Sequence, residues 1–315
     1  MLNFEYYCPT KFVFGKGQQA HVAEYVREFG GTKVLIHGYG ESYPAYNELL
    51  AAVRSSFETS GIAYVEVSGV EPNPKLGLAL KAAQVVRDEK CDFILAVGGG
   101  SVLDCCKVVS AQAKLDGDLW DYEYSEKKVP TEFIPMGAVV TSFGTGAEMN
   151  NGAVITHTDK KVKGALWGAF YSFAVLDPLY TKTMPFSQVA SGSFDSLSHC
   201  METYMGTPRS TNLSDEINEA CQRSIIRNLR ASVQNHEDMQ ARSELLWAAA
   251  MAENGMLKLG KVTDFQAHML EHQLGAYTDC NHGQGLAVIH PVLYRHMLAE
   301  GAEQFARLAV NVWGV

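Results

Sequence analysis

The chain has 315 residues, 47% of them apolar, so it is long enough to form two domains with sizeable cores. Its net charge of -9 argues against nucleic acid as a main partner, because neutralising phosphates requires clustered lysines and arginines. Neither a run of about 18 apolar residues nor a signal-peptide pattern at the N-terminus is visible, so no membrane partner is expected.

Short apolar runs alternate with helical patterns in the first half of the chain. The predicted strands are 33–37, 63–67 and 93–97, and the predicted helices are 45–60, 78–88 and 102–115. This alternation indicates a parallel sheet covered by helices on both faces.

After Pro185 the chain is rich in Ala, Leu, Met, Glu and Gln, which predicts a mostly helical second domain. Two prolines punctuate residues 177–185, so we expect domains at 1–184 and 185–315. Residues 303–312 have helical periodicity just before the sequence stops, and we therefore expect the helical domain to be truncated at its C-terminus. Seven irregularly spaced cysteines without a C-x-x-C pattern predict reduced thiols in a cytoplasmic protein.

A glycine-rich segment, Gly98-Gly99-Gly100-Ser101, follows the predicted strand 93–97 and opens the next helix. Glycines let the backbone approach a ligand closely, and a helix N-terminus offers free amides and a positive dipole end to a phosphate. The segment predicts a phosphate-binding loop, although it lacks the G-x-G-x-x-G spacing and a turn that binds nothing remains an alternative. Residues 141–148, rich in Gly, Ser and Thr, form a second candidate loop with the same alternative.

Four side chains of the kinds that bind metals occur as two pairs at helical spacing. Asp195 and His199 are four residues apart, as are His268 and His272, and His282 follows. Residues at this spacing share one face of a helix, and a carboxylate with imidazoles suits zinc or iron. The alternative for each histidine is a hydrogen-bonded residue of the core.

Residues 268–272 also match H-x-x-E-H, the inverted zinc-peptidase motif. In that hypothesis His268 and His272 bind zinc and Glu271 activates water. The pattern is short, and it leaves Asp195, His199 and the glycine-rich loop unexplained.

Together these motifs resemble the iron-containing alcohol dehydrogenases, in particular the butanol dehydrogenase-like, NADPH-dependent aldehyde reductase branch. The matching segments, in order, are PTKFVFGKG (9–17), EPNP (71–74), GGGSVLD (98–104), TGAEMN (145–150), D-x3-H (195–199) and H-x3-H-x9-H (268–282). The resemblance implies an α/β nucleotide-binding domain followed by an all-α domain, in a dehydroquinate synthase-like architecture. It also implies hydride transfer between NAD(P)H and a small alcohol or aldehyde such as butanol or butanal.

The resemblance also implies roles for individual residues. The implied metal ligands are Asp195, His199, His268 and His282. His272 would lie beside the metal as a candidate proton relay, because an imidazole titrates near neutral pH. The implied cofactor-binding positions are Gly38, Gly40, Asn73, Gly98, Gly99, Gly100, Ser101, Asp104, Thr141, Thr145, Asn150, Lys163 and Tyr180.

Several points stay open at this stage. Gly38 stands where NAD-dependent members often carry an Asp, which favours NADP(H), whereas Glu41 leaves NAD(H) open. The ligand types do not separate Fe²⁺ from Zn²⁺. A homodimer is expected by analogy. The rival hypotheses are a polyol dehydrogenase or cyclising synthase on the same scaffold, and a metal-stabilised binding protein without catalysis.

Overall fold

A computed structural model describes residues 1–209 and 212–315, which fall into two compact units. The α/β unit comprises residues 9–142 and 147–183, and the helical unit comprises residues 1–8, 143–146 and 184–315. None of the helices in the described ranges is long and apolar enough to cross a membrane.

The α/β unit contains a six-stranded parallel sheet and a separate antiparallel hairpin, which confirms the predicted parallel sheet. Its strands are β1 (Lys11–Phe14), β2 (Lys33–Gly38), β3 (Ala63–Ser68), β4 (Phe93–Gly98), β5 (Met136–Val140), β6 (Gly152–His157), β7 (Val162–Trp167) and β8 (Phe173–Leu176). Its α-helices are α1 (Val22–Glu28), α2 (Pro44–Ser60), α3 (Leu76–Asp88) and α4 (Gly100–Gln112). Strands β6 and β7 pair only with each other, and the sheet order is β1-β8-β5-β4-β2-β3.

The central strands carry the core of this unit. Every residue of β4, β5 and β8 is buried, as expected for parallel strands covered on both faces. Strand β3 lies at an edge and is largely exposed. Phe173 of β8 is fully buried, and its ring lies 6.0 Å from the ring of Phe93.

The order in which the chain adds strands to the sheet reverses at β2. From β2 the chain continues to β3 on one side, and β4 then pairs with the other side of β2. Gly38 is in register with Val97, so the carboxyl ends of these two strands lie side by side. Ligands of open α/β sheets bind at such a switch point. The fold therefore places the loops after Gly38 and after Gly98 where a ligand is expected.

The helical unit contains α5 (Phe186–Tyr204), α6 (Leu213–Gln234), α7 (Met239–Glu253), α8 (Gln266–Thr278) and α9 (His282–Leu308). Helix α5 contacts the four other helices, and its residues from Asp195 to Tyr204 are all buried. Helix α9 begins at His282 because the side chain of Asn281 accepts a hydrogen bond from the amide of Gln284. The Asn281 cap thus sets the position of His282 at the start of α9, and α5 holds Asp195 and His199 in its buried part.

Candidate active site

The four predicted metal ligands come together around one oxygen atom. Asp195 Oδ1 lies 3.2 Å from His199 Nε2, 3.6 Å from His268 Nε2 and 3.5 Å from His282 Nε2. Asp195 and His199 lie one turn apart on α5, whereas His268 is on α8 and His282 begins α9. Three helices therefore present one carboxylate and three imidazoles to a common point.

Atoms in this cluster lack the partners that buried polar groups normally have. Asp195 Oδ1, His199 Nε2 and His268 Nε2 are buried and make no hydrogen bond. Burying such atoms without a partner is unfavourable, and each orphaned group in a folded protein calls for an explanation. A divalent cation bound by these atoms satisfies all of them, and the donor set suits zinc or iron. The residues present therefore fit a metal ion.

The charges of the cluster are strongly coupled. Burial alone would raise the pKa of Asp195, but the imidazoles of His282 and His199 outweigh it and hold that pKa well below its ordinary value. Burial alone would lower the pKa of His199, but the carboxylates of Glu253 and Asp195 raise it to about 10. The site thus stabilises a carboxylate anion and balances it with positive charge on neighbouring imidazoles.

Each imidazole also contacts a glutamate through its other nitrogen. Glu253 Oε1 lies 2.8 Å from His199 Nδ1. Glu202 contacts His268 Nδ1, and Glu271 contacts His282 Nδ1.

The sequence interpretation missed Glu202 and Glu253, and it considered Glu271 only in the peptidase hypothesis. Glu202 lies seven residues after Asp195, so helical spacing was a usable signal for it. Glu253 ends a different helix, and no sequence pattern indicates its contact with His199.

His272 lies beside the cluster. Its buried ring is centred 5.7 Å from the ring of His282 and 6.3 Å from that of His268. Glu271, which would activate water in the peptidase hypothesis, is fully buried and bonded to His282 instead. This geometry favours the Asp195-centred cluster over the inverted peptidase motif.

The predicted phosphate loop joins β4 directly to α4. A Cβ atom on Gly99 would lie 2.1 Å from Ser142 Oγ and 3.0 Å from the Tyr39 hydroxyl, so only glycine fits without a shift. The Gly99 amide donates a hydrogen bond of 2.8 Å to the Tyr39 hydroxyl, which also bonds the Thr141 side chain. The first amides of α4, at Gly100 and Ser101, have no partner within the helix and point outward as at any helix N-terminus.

Tyr39 is a residue of this loop cluster that the sequence interpretation did not single out. Its signal was its position, since it directly follows the strand that pairs with β4.

Other predicted cofactor residues take part in three hydrogen bonds within the α/β unit. Lys163 Nζ donates a hydrogen bond of 2.9 Å to Asn73 Oδ1. Lys107 Nζ of α4 donates one of 2.9 Å to Asn150 Oδ1. Asp104 accepts a hydrogen bond of 2.9 Å from the Val154 amide. These bonds attach the β6–β7 hairpin to α4 and to the loop before α3.

The remaining predicted positions are distributed differently. Gly40 adopts a positive φ of 89°, and a Cβ atom there would lie 2.9 Å from Ser68. Tyr180 packs against the core cluster that includes β2 and α2. Thr145 belongs to the helical unit, whereas the other predicted cofactor residues belong to the α/β unit.

Comparison with known proteins identifies the family of the chain. The sequence pattern of the family described as iron-containing alcohol dehydrogenase matches residues 9–178, and that of its C-terminal domain matches residues 189–315. The chain is 36% identical to NADH-dependent butanol dehydrogenase A of Clostridium acetobutylicum and 34% identical to NADPH-dependent aldehyde reductase YqhD of Escherichia coli. Each comparison covers 100% of this chain and 81% of the relative.

A solved crystal structure is similar to this chain in both fold and sequence. The crystal structure of NADH-dependent butanol dehydrogenase A from Thermotoga maritima superposes with a TM-score of 0.96 at 35% identity, covering 100% of this chain and 79% of that one. These similarities identify an oxidoreductase of a family that uses a metal ion and a nicotinamide cofactor. The chain belongs to the iron-containing alcohol dehydrogenase family, and it is an alcohol dehydrogenase or aldehyde reductase.

Substituting Gly99 with alanine tests the glycine-rich loop. The added methyl group would overlap Ser142 Oγ, so the loop must shift, and we expect NADPH binding to weaken about tenfold or more. Calorimetry of NADPH binding measures this. Gly77→Ala is the matched control, because nothing lies within 4 Å of a Cβ atom there. Equal binding by both variants and the wild type would mean that the diphosphate does not lie on this loop.

Substituting Asp195 with asparagine tests the metal cluster. The change keeps the shape but removes the charge that three imidazoles face, so we expect zinc affinity to fall by more than the roughly 10–100-fold that loss of an outer hydrogen-bonding partner costs. Zinc titration of the purified metal-free protein measures it. Asp264→Asn, an exposed position just before α8, is the control. Wild-type affinity in Asp195→Asn would exclude Asp195 as a ligand.

Proposed function

We propose that this protein transfers hydride between NAD(P)H and a small alcohol or aldehyde, with butanol and butanal as representative substrates. The observation that carries the proposal is the buried Asp195 carboxylate faced by three imidazole Nε2 atoms. The names of the relatives, two butanol dehydrogenases and an aldehyde reductase, support the substrate class. The reaction is reversible, and the protein positions the reactants for it.

We propose that Asp195, His199, His268 and His282 hold an Fe²⁺ or Zn²⁺ ion and that Gly98, Gly99, Gly100 and Ser101 hold the cofactor diphosphate. The ion would supply Lewis acidity toward the substrate oxygen, and the nicotinamide would supply or accept the hydride. His272 would deliver a proton to the oxygen during aldehyde reduction and remove it during alcohol oxidation. Asp195, His199 and His268 are buried, which limits the access of water to them and strengthens the electrostatic contacts there.

We propose that the protein prefers NADP(H) over NAD(H) and that the acidic side chain of Glu41 weakens this preference. A Cβ atom on Gly38 would lie 2.3 Å from the Tyr46 hydroxyl and 2.7 Å from the Val97 carbonyl oxygen, so no carboxylate can replace this glycine. The loop after Gly38 carries Glu41, which lies 3.6 Å from Arg54. An acidic group at this end of the strand disfavours a 2′-phosphate.

We further propose a homodimer in the cytoplasm. All seven cysteines are free thiols, which fits a reducing compartment. Light scattering on the purified protein tests the dimer, and a monomeric mass would reject it.

The first test of the function is NADPH oxidation by the purified protein with butanal, followed by absorbance. We expect a rate that chelation abolishes and that added Fe²⁺ or Zn²⁺ restores, and the metal giving the higher rate identifies the preferred ion. A folded protein that oxidises neither NADPH nor NADH with any aldehyde, whatever metal is added, would reject the proposal. In that case a polyol substrate or the cyclising chemistry of the same scaffold would be tested next.

Replacing Glu41 with glutamine tests the cofactor preference. Removing one negative charge near the surface relieves repulsion of roughly 1 kcal/mol, so the ratio of kcat/KM for NADPH to that for NADH should rise roughly fivefold. Glu58→Gln, an exposed glutamate of α2 that bonds Tyr64, is the control. An unchanged ratio would remove Glu41 from cofactor selection.

Replacing His272 with alanine tests the proton relay. We expect turnover to fall by about 10²–10⁴-fold while the protein retains its metal ion. Metal content measured on the same sample separates the two possibilities. Loss of the ion would instead make His272 a residue that holds the metal site together, and the relay proposal would be withdrawn.

A further inference from the structure

Each imidazole of the cluster contacts, through its Nδ1 atom, a glutamate that lies on a different helix. Glu253 of α7 contacts His199 of α5. Glu202 of α5 contacts His268 of α8, and Glu271 of α8 contacts His282 of α9. We refer to Glu202, Glu253 and Glu271 as the Nδ1 glutamates, since each contacts the Nδ1 atom of its histidine.

The Nδ1 glutamates are buried, and other groups also contact them. Glu202 accepts hydrogen bonds from the amides of Ala267 (2.6 Å) and His268 (3.2 Å) at the start of α8. Glu253 pairs with Lys258 Nζ at 2.8 Å. Glu271 is fully buried. Carboxylates buried in this way are costly unless they are paired, so their repeated placement behind the ligands indicates a role at the metal site.

The contact fixes which nitrogen of each ring faces the metal position. A glutamate hydrogen-bonded to Nδ1, as at His268 and His282, holds the proton there in a neutral imidazole, so the Nε2 lone pair is directed toward the metal position. Glu253 Oε1, 2.8 Å from His199 Nδ1, places a carboxylate on the same side of the third ring. A carboxylate partner also raises the basicity of a ligating imidazole.

We infer that Glu202, Glu253 and Glu271 are positioning residues for the metal ion, each acting through the histidine it contacts. This inference rests on the proposed ligand set. It goes further in assigning the tautomer, orientation and donor strength of all three imidazoles to three specific carboxylates.

The same contacts connect the helices in series. Glu253 connects α7 to α5, Glu202 connects α5 to α8, and Glu271 connects α8 to α9. An ion bound at Asp195 would therefore add a further connection to a series of contacts that already links four helices. Because metal binding to such a site adds to folding stability, zinc should raise the Tm of the helical unit.

The experiment compares Glu202→Gln, Glu253→Gln and Glu271→Gln in the full chain, without cofactor or substrate. Zinc affinity is measured by competition with a chromophoric chelator, and the Tm of each metal-free protein is measured alongside. Glutamine keeps the shape and an accepting oxygen but loses the charge. Each variant should bind zinc about 10–100-fold more weakly, with the metal-free Tm close to that of the wild type.

Glu219→Gln is the matched control. Glu219 is a buried glutamate of α6 that bonds Tyr204 and Arg307, away from the histidines, so zinc affinity should not change. Co²⁺ absorption adds a spectroscopic readout, because the visible band should shift in the three variants and not in the control. If a glutamine variant does not fold, the aspartate variant takes its place, and it should weaken zinc binding because its shorter side chain cannot reach Nδ1.

The possible results separate the two proposals. If the wild-type protein binds no zinc, the ligand set itself is wrong. If the wild type binds zinc and the glutamine variants bind it equally well, the ligand set stands and the positioning role is overturned. A loss of affinity that parallels an equal loss of metal-free stability also overturns it, since that would be a purely structural effect.

Discussion

The arrangement of the helical unit depends on one buried carboxylate. Asp195 lies in the part of α5 where every residue is buried, and burial of an unpaired carboxylate would be strongly unfavourable. Its compensation comes from imidazoles on α5, α8 and α9, so these helices must pack with their ligand-bearing faces toward one point. Helix α5 carries two of the four predicted ligands and contacts the four other helices.

The two sites use different chemistry and therefore differ in what they tolerate. The metal cluster is made of side chains, whose geometry is set by neighbouring helices. The glycine-rich loop is made of backbone amides, and its geometry is set by the absence of a side chain at Gly99. In the first site a conservative change alters charge, whereas in the second the smallest added group already overlaps a neighbour.

Local periodicity explains what the sequence could predict. The spacing of Asp195 and His199 places them on one face of a helix, and the glycines before α4 mark a strand-to-helix turn. Spacing did not indicate which of His268 and His272 would be a metal ligand, whereas the family resemblance implied His268. The short strand β1 forms only by pairing with β8, which is distant in sequence, and the contact of Glu253 with His199 likewise depends on tertiary packing. The predicted helix 102–115 is instead α4 (Gly100–Gln112), because Gly99 is its N-cap and Gly100 its first residue.

The charge around the cluster bears on the substrate. Asp195 and the three Nδ1 glutamates are four buried carboxylates, whereas Lys258 and a bound divalent ion together would supply three positive charges. With neutral imidazoles as ligands, these groups together stay negative. An anionic substrate approaching such a centre is repelled, and a neutral aldehyde or alcohol is not. The carboxylates that orient the imidazoles thus also favour the uncharged substrates proposed here.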